Sequence, residues 1–421
     1  MAKNIIFYGP PGTGKTFFLQ KLMNNYVDYS FDDQQIKDAY TRRSEDWMLV
    51  SLILLQAKRK MRPSEIQEKI RQLALGVAVN VSSVLETHNT ASSALGVRRL
   101  APRIFFEHST GEWYIDRTRL IQFDVKFFDK YLPRCTVERR YSFVTFHQSF
   151  SYEDFIEGIR PTYDARTQSI DYSPKPGVLK AICETARHHP EKKYAVFIDE
   201  INRGNISEIF GELISLIELD KREGMANELS VILPYSKESF TIPSNLSFFG
   251  SMNSADKSIA AIDMALRRRF KFTPMVPDSS VLLSELEIAG IDARNVDGVD
   301  LIKLFDTINA RIEILLDNNH TIGHAFFLKC RSRSDIANVI ATNVVPLLEE
   351  YFFDDLQKIQ LILNDLDSDG EQKPTAIYKH KELRVESYFD YVGEYLLDDC
   401  RQYYLSNTIS LDSLKQIYEG V

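Results

Sequence analysis

A glycine-rich loop near the beginning of the chain restricts the possible folds more than any other feature. Residues 4–8 have the pattern of a short buried strand, and residues 17–25 have helical character. The residues between them match G-x-x-x-x-G-K-[ST], in the strand–loop–helix context that identifies a phosphate-binding loop, or P-loop. The residues predicted to bind the nucleotide are Gly9, Pro10, Pro11, Gly12, Thr13, Gly14, Lys15, Thr16 and Phe17.

Each part of the P-loop has a chemical role. Its glycines allow backbone N–H groups to close around a polyphosphate, and the N-terminus of the following helix adds its positive dipole end. Lys15 is predicted to reach the β- and γ-phosphates, and the Thr16 hydroxyl is predicted to ligate Mg²⁺. A glycine-rich turn that binds nothing would match every one of these positions only by accident. The sequence therefore predicts a nucleoside triphosphate site.

The composition is that of an ordinary globular protein of two or three domains, with 421 residues, 44% hydrophobic and 26% charged. The net charge of −8 means that any nucleic-acid surface must be a local patch. No stretch approaches the ~18 apolar residues of a membrane span, and little chain precedes the P-loop, so we expect a cytoplasmic protein without a targeting peptide. Its scattered cysteines, which form no C-x-x-C pair, are expected to be reduced thiols: Cys135, Cys183, Cys330 and Cys400.

Two further strand-like runs end in polar residues that suit hydrolysis. The apolar run 194–198 is typical of a strand covered on both faces, and it ends in Asp199 and Glu200. Asp199 is predicted to hold the Mg²⁺ hydration shell, and Glu200 to polarise the attacking water. The run 246–252 ends in Asn253, whose amide is predicted to contact the γ-phosphate or the water, or else to cap the following helix.

Three consecutive arginines, Arg267, Arg268 and Arg269, follow a helix-like apolar segment. Adjacent residues on a helix point about 100° apart, so the three side chains cannot share one task. One could face a neighbouring subunit's phosphate, one its own site, and one solvent. The alternative is that they only complement the helix dipole.

These motifs resemble the AAA+ module of the McrB family, the GTP-hydrolysing motors of McrBC modification-dependent restriction systems. The likeness covers residues 1–25 and about 141–360, in the same order along the chain. Ser254 stands where the family commonly has Thr, which keeps the hydroxyl, and we expect no N-terminal DNA-recognition domain like that of the best-known member. Besides the P-loop, the segments that carry the resemblance are 146–155 (FHQSFSYEDF), 158–161 (GIRP), 199–205 (DEINRGN), 252–256 (MNSAD), 265–270 (ALRRRF), 322–327 (IGHAFF) and 346–355 (PLLEEYFFDD).

The resemblance implies roles for individual residues. Asn253 would be the sensor on the central strand, and Arg268 the arginine finger that reaches across a subunit interface. Arg269 would be a companion phosphate-facing arginine, while Asn202 and Arg203 would lie near the subunit boundary. The resemblance also implies a ring of six subunits, Mg²⁺ as cofactor, DNA as the substrate of the motor and a separate McrC-like nuclease as partner.

The choice of GTP over ATP rests on the resemblance alone. Residues 253–256 (NSAD) lack the lysine of the N-K-x-D guanine-binding motif, and the tip of that strand lies beside the γ-phosphate, away from the base. ATP therefore stays open, as in a MoxR-like ATPase that remodels proteins. A nucleotide-gated adaptor is a further alternative, although a complete hydrolytic set of residues argues against it.

About 110 residues separate the P-loop helix from the strand-like segment 141–146, and they have a pattern of their own. We predict a helix over 46–55, a second from Pro63 with a Ser64–Gln67 capping box, a third over 82–94, and a hairpin over 103–115. Three helices and a hairpin resemble a winged helix. Such a module binds either DNA or protein. The absence of Lys and Arg from 82–94 argues against base recognition by the third helix. If the module binds DNA, the arginines predicted to contact phosphates are Arg98, Arg99, Arg103, Arg117 and Arg119.

The predicted fold class is α/β, an AAA+ P-loop NTPase with a parallel sheet core, an inserted winged-helix-like domain and a C-terminal helical lid. The core comprises 1–30 and 135–277, the insert 31–134, and the lid and tail 278–421. Amphipathic patterns over 301–316 and 336–348 fit a lid. The acidic run 365–370 resembles the start of a calcium-binding loop, but Ala376 stands where the bidentate acid belongs. No function is predicted for residues 382–421.

Overall fold

The computed structural model describes residues 2–90, 100–124, 127–133, 135–164, 168–256, 264–390 and 398–419. The strands, in chain order, are β1 (Asn4–Gly9), β2 (Val27–Ser30), β3 (Phe105–Glu107), β4 (Trp113–Ile115), β5 (Thr136–Arg139), β6 (Tyr141–Thr145), β7 (Glu157–Asp164), β8 (Ser169–Pro176), β9 (Tyr194–Asp199), β10 (Val231–Ile232), β11 (Ser239–Phe240), β12 (Leu246–Asn253), β13 (Lys271–Pro274), β14 (Tyr378–Leu383) and β15 (Cys400–Leu405).

The helices, in the same order, are α1 (Lys15–Met23), α2 (Asp33–Arg42), α3 (Asp46–Ala57), α4 (Pro63–Gln72), α5 (Val81–Thr87), α6 (Arg117–Phe123), α7 (Phe127–Tyr131), α8 (Tyr152–Phe155), α9 (Val178–His188), α10 (Ile206–Phe210), α11 (Met264–Arg267), α12 (Ser279–Ile288), α13 (Leu301–Leu315), α14 (Arg333–Val339), α15 (Val345–Tyr351), α16 (Gln357–Leu363) and α17 (Leu411–Lys415). Within the described part of the chain, no helix is both long and apolar enough to cross a membrane.

A parallel sheet in the order β13-β1-β12-β9-β6 forms the centre of the molecule. The three strands predicted from apolar runs, β1, β9 and β12, are neighbours in it, so those predictions are confirmed. Because parallel strands end at one edge of a sheet, the residues that follow them meet there. Gly9 is paired with Asn253 in the register of β1 and β12, which places the start of the P-loop beside the predicted sensor.

Both faces of the sheet are covered, as the continuous apolar run of β9 requires. Residues 194–198 of β9 are all buried. Helix α9 and the turns over 201–217 pack on one face, and α1 packs on the other, where Leu19 and Met23 are buried against Phe7 and Phe197. These packed layers hold the strand ends rigidly in place, which fixes the positions of the polar residues that follow them.

The segment between the two halves of the sheet core builds its own apolar core from α2–α7 and the β3–β4 hairpin. Its start and end pair as antiparallel strands β2 and β5. The predicted first helix and hairpin are present, and Met61 forms an isolated antiparallel bridge with Trp113 of the hairpin. The predicted third helix is shorter than expected, Val81–Thr87, and the rest of its predicted range lies partly outside the described residues.

Two details of this segment differ from prediction. The Ser64–Gln67 capping box is wrong, because Pro63 already occupies the first helical position, so the Glu65 carboxylate instead accepts from the Arg62 N–H at 2.7 Å. Arg117 does not face solvent as a phosphate ligand would. Its guanidinium lies 4.5 Å from the centre of the Tyr29 ring, and burial lowers its pKa.

The helical part after β13 forms a further apolar core from α12–α17 and β14. Helices over 301–315 and 333–351 confirm the amphipathic patterns, the latter interrupted by a π-helical turn at 340–344. The first acid of the segment 365–370 is engaged within the protein. Asp365 is fully buried, and its carboxylate accepts from the backbone N–H groups of Ile377 and Tyr378, which ties β14 to the lid.

Candidate nucleotide hydrolysis site

The P-loop connects β1 to α1 in the geometry that a phosphate site needs. Gly12 and Gly14 have φ values of 75° and 80°, which only glycine adopts without strain. Gly14 directly precedes the first residue of α1, so the helix N-terminus points into the loop. Lys15 is buried, and its Nζ donates to the carbonyl oxygens of Gly9 at 2.7 Å and Pro10 at 2.6 Å.

Burial lowers the pKa of the Lys15 ammonium to about 8, although Glu200 and Asp199 oppose the shift by raising it. A phosphate beside Lys15 would therefore stabilise the protonated form of its side chain. Phe17, two residues on, is 68% exposed in the first turn of α1 and is available to a nucleotide.

Asp199, at the end of β9, lies directly opposite the P-loop threonine. The Thr16 hydroxyl is 3.3 Å from both carboxylate oxygens of Asp199. Ser251 of β12 donates its hydroxyl to Asp199 Oδ1, and the same Ser251 oxygen accepts from the Glu200 backbone N–H at 3.2 Å. One serine on the adjacent strand therefore fixes both acids of the site.

The oxygen atoms of Thr16 and Asp199 fit Mg²⁺. This ion prefers hard oxygen ligands, and it is held in triphosphate sites by one or two protein groups together with phosphates and water. Among the described residues, no group of three or more His, Cys, Asp or Glu is placed to hold a metal, so a site made by protein alone is not indicated. The pair of ligands suits an ion that arrives with a nucleotide.

Glu200 combines a strained backbone with a partly buried carboxyl group. Its φ of 52° lies in the left-handed region that non-glycine residues seldom adopt, a strain that clusters at functional sites. Burial raises the pKa of the Glu200 carboxyl, an effect that Arg203 opposes and Asp199 reinforces. Arg203 Nε lies 3.4 Å from Glu200 Oε2, and Arg203 also pairs with Asp256 at 3.1 Å.

Asn253 ends β12 beside the start of the P-loop. Its side-chain Oδ1 accepts from the Ala255 N–H at 3.2 Å, which forms a local turn, while the predicted helix cap and the predicted sensor role both stay predictions. Its main-chain carbonyl accepts from the side chain of Asn202 at 3.3 Å. The Ser254 N–H donates to the Gly9 carbonyl at 3.1 Å, which locks the tip of the strand to the P-loop.

A short segment of the lid, residues 322–327, lies directly on the P-loop. The Gly323 N–H donates to the Pro11 carbonyl at 2.9 Å, and the Ala325 N–H donates to the Gly12 carbonyl at 2.8 Å. A Cβ on Gly323 would lie 1.8 Å from the Gly12 carbonyl carbon, so no other residue fits there. Any movement of this segment away from the P-loop would therefore break these main-chain hydrogen bonds.

His324 in this segment is buried next to the P-loop. Its Nδ1 accepts from the Asp278 N–H at 3.3 Å, and burial lowers its pKa, which favours the neutral ring with the proton on Nε2. A Cβ on Gly14 would lie 3.9 Å from that Nε2. The lid thus presents a hydrogen-bond donor at the edge of the loop.

Comparison with known proteins agrees with this architecture. Residues 128–270 match the AAA domain (dynein-related subfamily), and residues 300–360 match the McrB alpha-helical lid domain. The chain is 38% identical over 246 residues to the type IV methyl-directed restriction enzyme EcoKMcrB subunit of Escherichia coli (strain K12). That alignment covers 55% of this chain and 51% of the relative.

The chain is an McrB-like AAA+ protein. It is also 26% identical over 133 residues to the type II restriction enzyme BsuMI component YdiS of Bacillus subtilis (strain 168), which covers 30% of this chain and 37% of that protein. A solved structure of a proposed ATPase from Cytophaga hutchinsonii matches 54% of this chain and 52% of that chain, with 14% identity and a TM-score of 0.23. The chain spans about half the length, or less, of the curated relatives it matches.

The arginine cluster of this McrB-like chain lies away from its own P-loop. The main-chain carbonyl of Arg269 accepts from the Asn4 side chain at 3.2 Å, at the opposite end of β1 from Gly9. With a rise of about 3.3 Å per residue, the two ends of β1 are roughly 17 Å apart. A phosphate-facing role for Arg268 or Arg269 would thus concern a nucleotide held by another chain, and it stays a prediction.

Sequence reasoning missed two parts of the site. Ser251 lies two residues before Asn253 on one face of β12, and this period of two is the signal that could have identified it. The contact of Gly323 with the P-loop joins residues about 310 positions apart, and no local pattern predicts it. Arg98 and Arg99 of the predicted phosphate contacts lie outside the described residues, while Arg103 and Arg119 are exposed.

Proposed function

We propose that this chain is a ring-forming GTPase, with Mg²⁺ as cofactor, that drives DNA restriction together with a separate McrC-like nuclease. The observation that carries the proposal is the meeting of Lys15, Thr16, Asp199, Glu200 and Asn253 at one edge of one sheet. The matched lid and the similarity to a restriction-enzyme subunit support the restriction context. Hexamer formation and guanine preference rest on the resemblance to the family.

The geometry suggests how the residues divide the work. Lys15 would exchange its bonds to the Gly9 and Pro10 carbonyls for bonds to the β- and γ-phosphates. Thr16 and Asp199 would hold Mg²⁺, which neutralises charge on the phosphate oxygens. Glu200 would accept a proton from the attacking water, a task that its raised pKa favours because it makes the carboxylate a stronger base.

The charge that develops between the phosphates needs a further cation. In a ring, Arg268 of the neighbouring subunit would supply it as an arginine finger, a contribution worth ~10³–10⁵ in rate. Arg268 is 69% exposed in its own chain, so its guanidinium is available to another subunit. A monomer should therefore be nearly inactive, and specific activity should rise with protein concentration.

Mixed subunits test the shared site. Arg268→Ala and Glu200→Gln proteins should each bind nucleotide normally and hydrolyse poorly. A mixture should recover partial activity, because some interfaces then pair an intact Glu200 with an intact Arg268. Activity that does not depend on concentration, or a mixture no more active than its parts, would sink the shared-site model.

Competition binding of GTP, ATP and CTP to the purified protein tests the choice of base. Tighter binding and faster turnover of GTP are expected. A preference for ATP would favour the MoxR-like protein-remodelling alternative instead.

We assign DNA binding to the assembly and leave the 31–134 insert as a candidate contact. Arg103 and Arg119 are its described exposed arginines from the predicted set. Arg103→Glu with Arg119→Glu in the full chain should weaken duplex binding and lower its dependence on salt. If binding is unchanged, the insert serves protein contacts.

A further inference from the structure

The carboxylate of Glu218 contacts two residues of the arginine cluster, Arg268 and Arg269. Glu218 lies between two short 3₁₀ turns, Gly211–Ile217 and Leu219–Lys221, that follow α10. Its Oε1 is 2.9 Å from Arg269 Nη2 and 3.8 Å from Arg268 Nη2, while its Oε2 is 2.9 Å from Lys221 Nζ. One carboxylate therefore bridges three cations.

The three cations are held to different degrees. The Arg269 side chain is only 4% exposed, and the Arg269 backbone is fixed to β1 through Asn4, so its short ion pair anchors Glu218 from the protein side. Lys221, from the adjacent turn, fixes the other oxygen. Arg268 is 69% exposed and lies at the longer distance of 3.8 Å, so among these three described cations it is the one held least firmly.

These side chains line an outward-facing cavity of about 680 Å³. Its lining residues are Glu218, Leu219, Asp220, Lys221, Arg268 and Arg269. Three cationic and two acidic side chains give this cavity a net positive charge, which suits an anionic group presented by another chain. The buried Arg269 cannot reach such a group without giving up Glu218, which leaves Arg268 as the arginine exposed to it.

We propose that Glu218 is a positioning residue for Arg268. Its carboxylate, held between Arg269 and Lys221, is a fixed negative charge that biases the Arg268 guanidinium toward this cavity without holding it, and so orients it for the nucleotide of a neighbouring subunit. Arginine has many rotamers, and a finger that must be ordered at each turnover loses rate. This inference rests on the proposed shared site and deepens it, because it gives Arg269 an anchoring role within its own chain.

The test substitutes Glu218→Gln, which keeps the shape and an acceptor for Arg269 but removes the charge that attracts Arg268. We expect kcat to fall about tenfold, since a misplaced catalytic group costs up to ~10²-fold, while KM and nucleotide affinity change little. Glu223→Gln is the matched control, because it makes the same change at a nearby acid that pairs with Arg187 at 3.0 Å and is not among the lining residues of the cavity. It should hydrolyse at the wild-type rate.

Two readouts separate positioning from a structural role. In an Arg268→Ala background, Glu218→Gln should cause no further loss, because the two residues act as a unit. Mixed with Glu200→Gln subunits, the Glu218→Gln protein should recover activity, since those partners supply an intact Glu218–Arg268 pair. A fold defect would instead add to the Arg268→Ala loss and would not be rescued by mixing.

A second variant guards against poor folding of Glu218→Gln. Lys221→Met removes one anchor of the carboxylate without touching either arginine, and it should lower kcat several-fold with the same lack of additivity. If Arg268→Ala is not rescued by mixing, the shared site itself is wrong. If Arg268→Ala behaves as expected while Glu218→Gln is as fast as wild type, or faster, only the positioning role of Glu218 is overturned.

Discussion

The pKa of Lys15 gives a quantitative prediction about nucleotide binding. In the free protein, burial lowers this pKa to about 8. Phosphate oxygens beside the ammonium would raise it again in the complex, so binding favours the protonated lysine. The affinity should therefore be nearly constant at low pH and should fall as the pH rises through about 8. Between pH 7 and pH 9 the protonated fraction drops from about nine-tenths to about one-tenth, which corresponds to a tenfold loss of affinity, or ~1.4 kcal/mol.

The assay is equilibrium binding of a fluorescent, non-hydrolysable triphosphate with Mg²⁺ across this pH range. Lys15→Arg is the control, because its guanidinium stays charged across this pH range. Any ionisation of the nucleotide itself affects the wild-type and Lys15→Arg proteins equally. Glu200 raises the pKa of Lys15, so Glu200→Gln should move the fall in affinity to lower pH. Wild-type and Lys15→Arg curves with the same pH dependence would refute the reasoning.

Three further perturbations follow from single contacts. Ser251→Ala removes the hydroxyl that contacts both Asp199 and Glu200, so kcat should fall about tenfold through the loss of ~1–2 kcal/mol of hydrogen bonding. Ser247→Ala, at the other end of β12, is the control and should not lower kcat. Equal rates for the two variants would contradict this role of Ser251. Gly323→Ala should weaken nucleotide affinity, measured by titration, because its Cβ would collide with Gly12 and hold the lid off the P-loop. Burial raises the pKa of Asp365 to about 6, so the stability that it contributes when protonated is present at low pH and is lost as the pH rises through 6. The difference is up to ~3 kcal/mol, and denaturant unfolding of Asp365→Asn should lack this pH-dependent component.

Much of the site could be predicted because its parts are local in sequence. The P-loop and the runs that end in Asp199 and Asn253 each carry their own strand pattern, and parallel strands necessarily end at one edge. The parts that could not be predicted depend on tertiary packing between segments distant in sequence. In the insert, the helix predicted over 82–94 is described only for Val81–Thr87, and Arg117 stacks on Tyr29 where solvent exposure was expected.

The arginine cluster shows most clearly where sequence reasoning stops. Arg267, Arg268 and Arg269 are identical in type, and helical geometry says only that they point in different directions. Which one is buried depends on Glu218 and Asn4, which lie about 50 and 265 residues away. Arg269 contacts both Glu218 and Asn4, whereas Arg268 makes only a 3.8 Å contact with Glu218 among the described residues. The structure therefore distinguishes a buried, anchored arginine from an exposed one. The same pairing places the exposed arginine at the far end of β1 from its own P-loop, which is the position that the proposed shared site requires of an arginine finger.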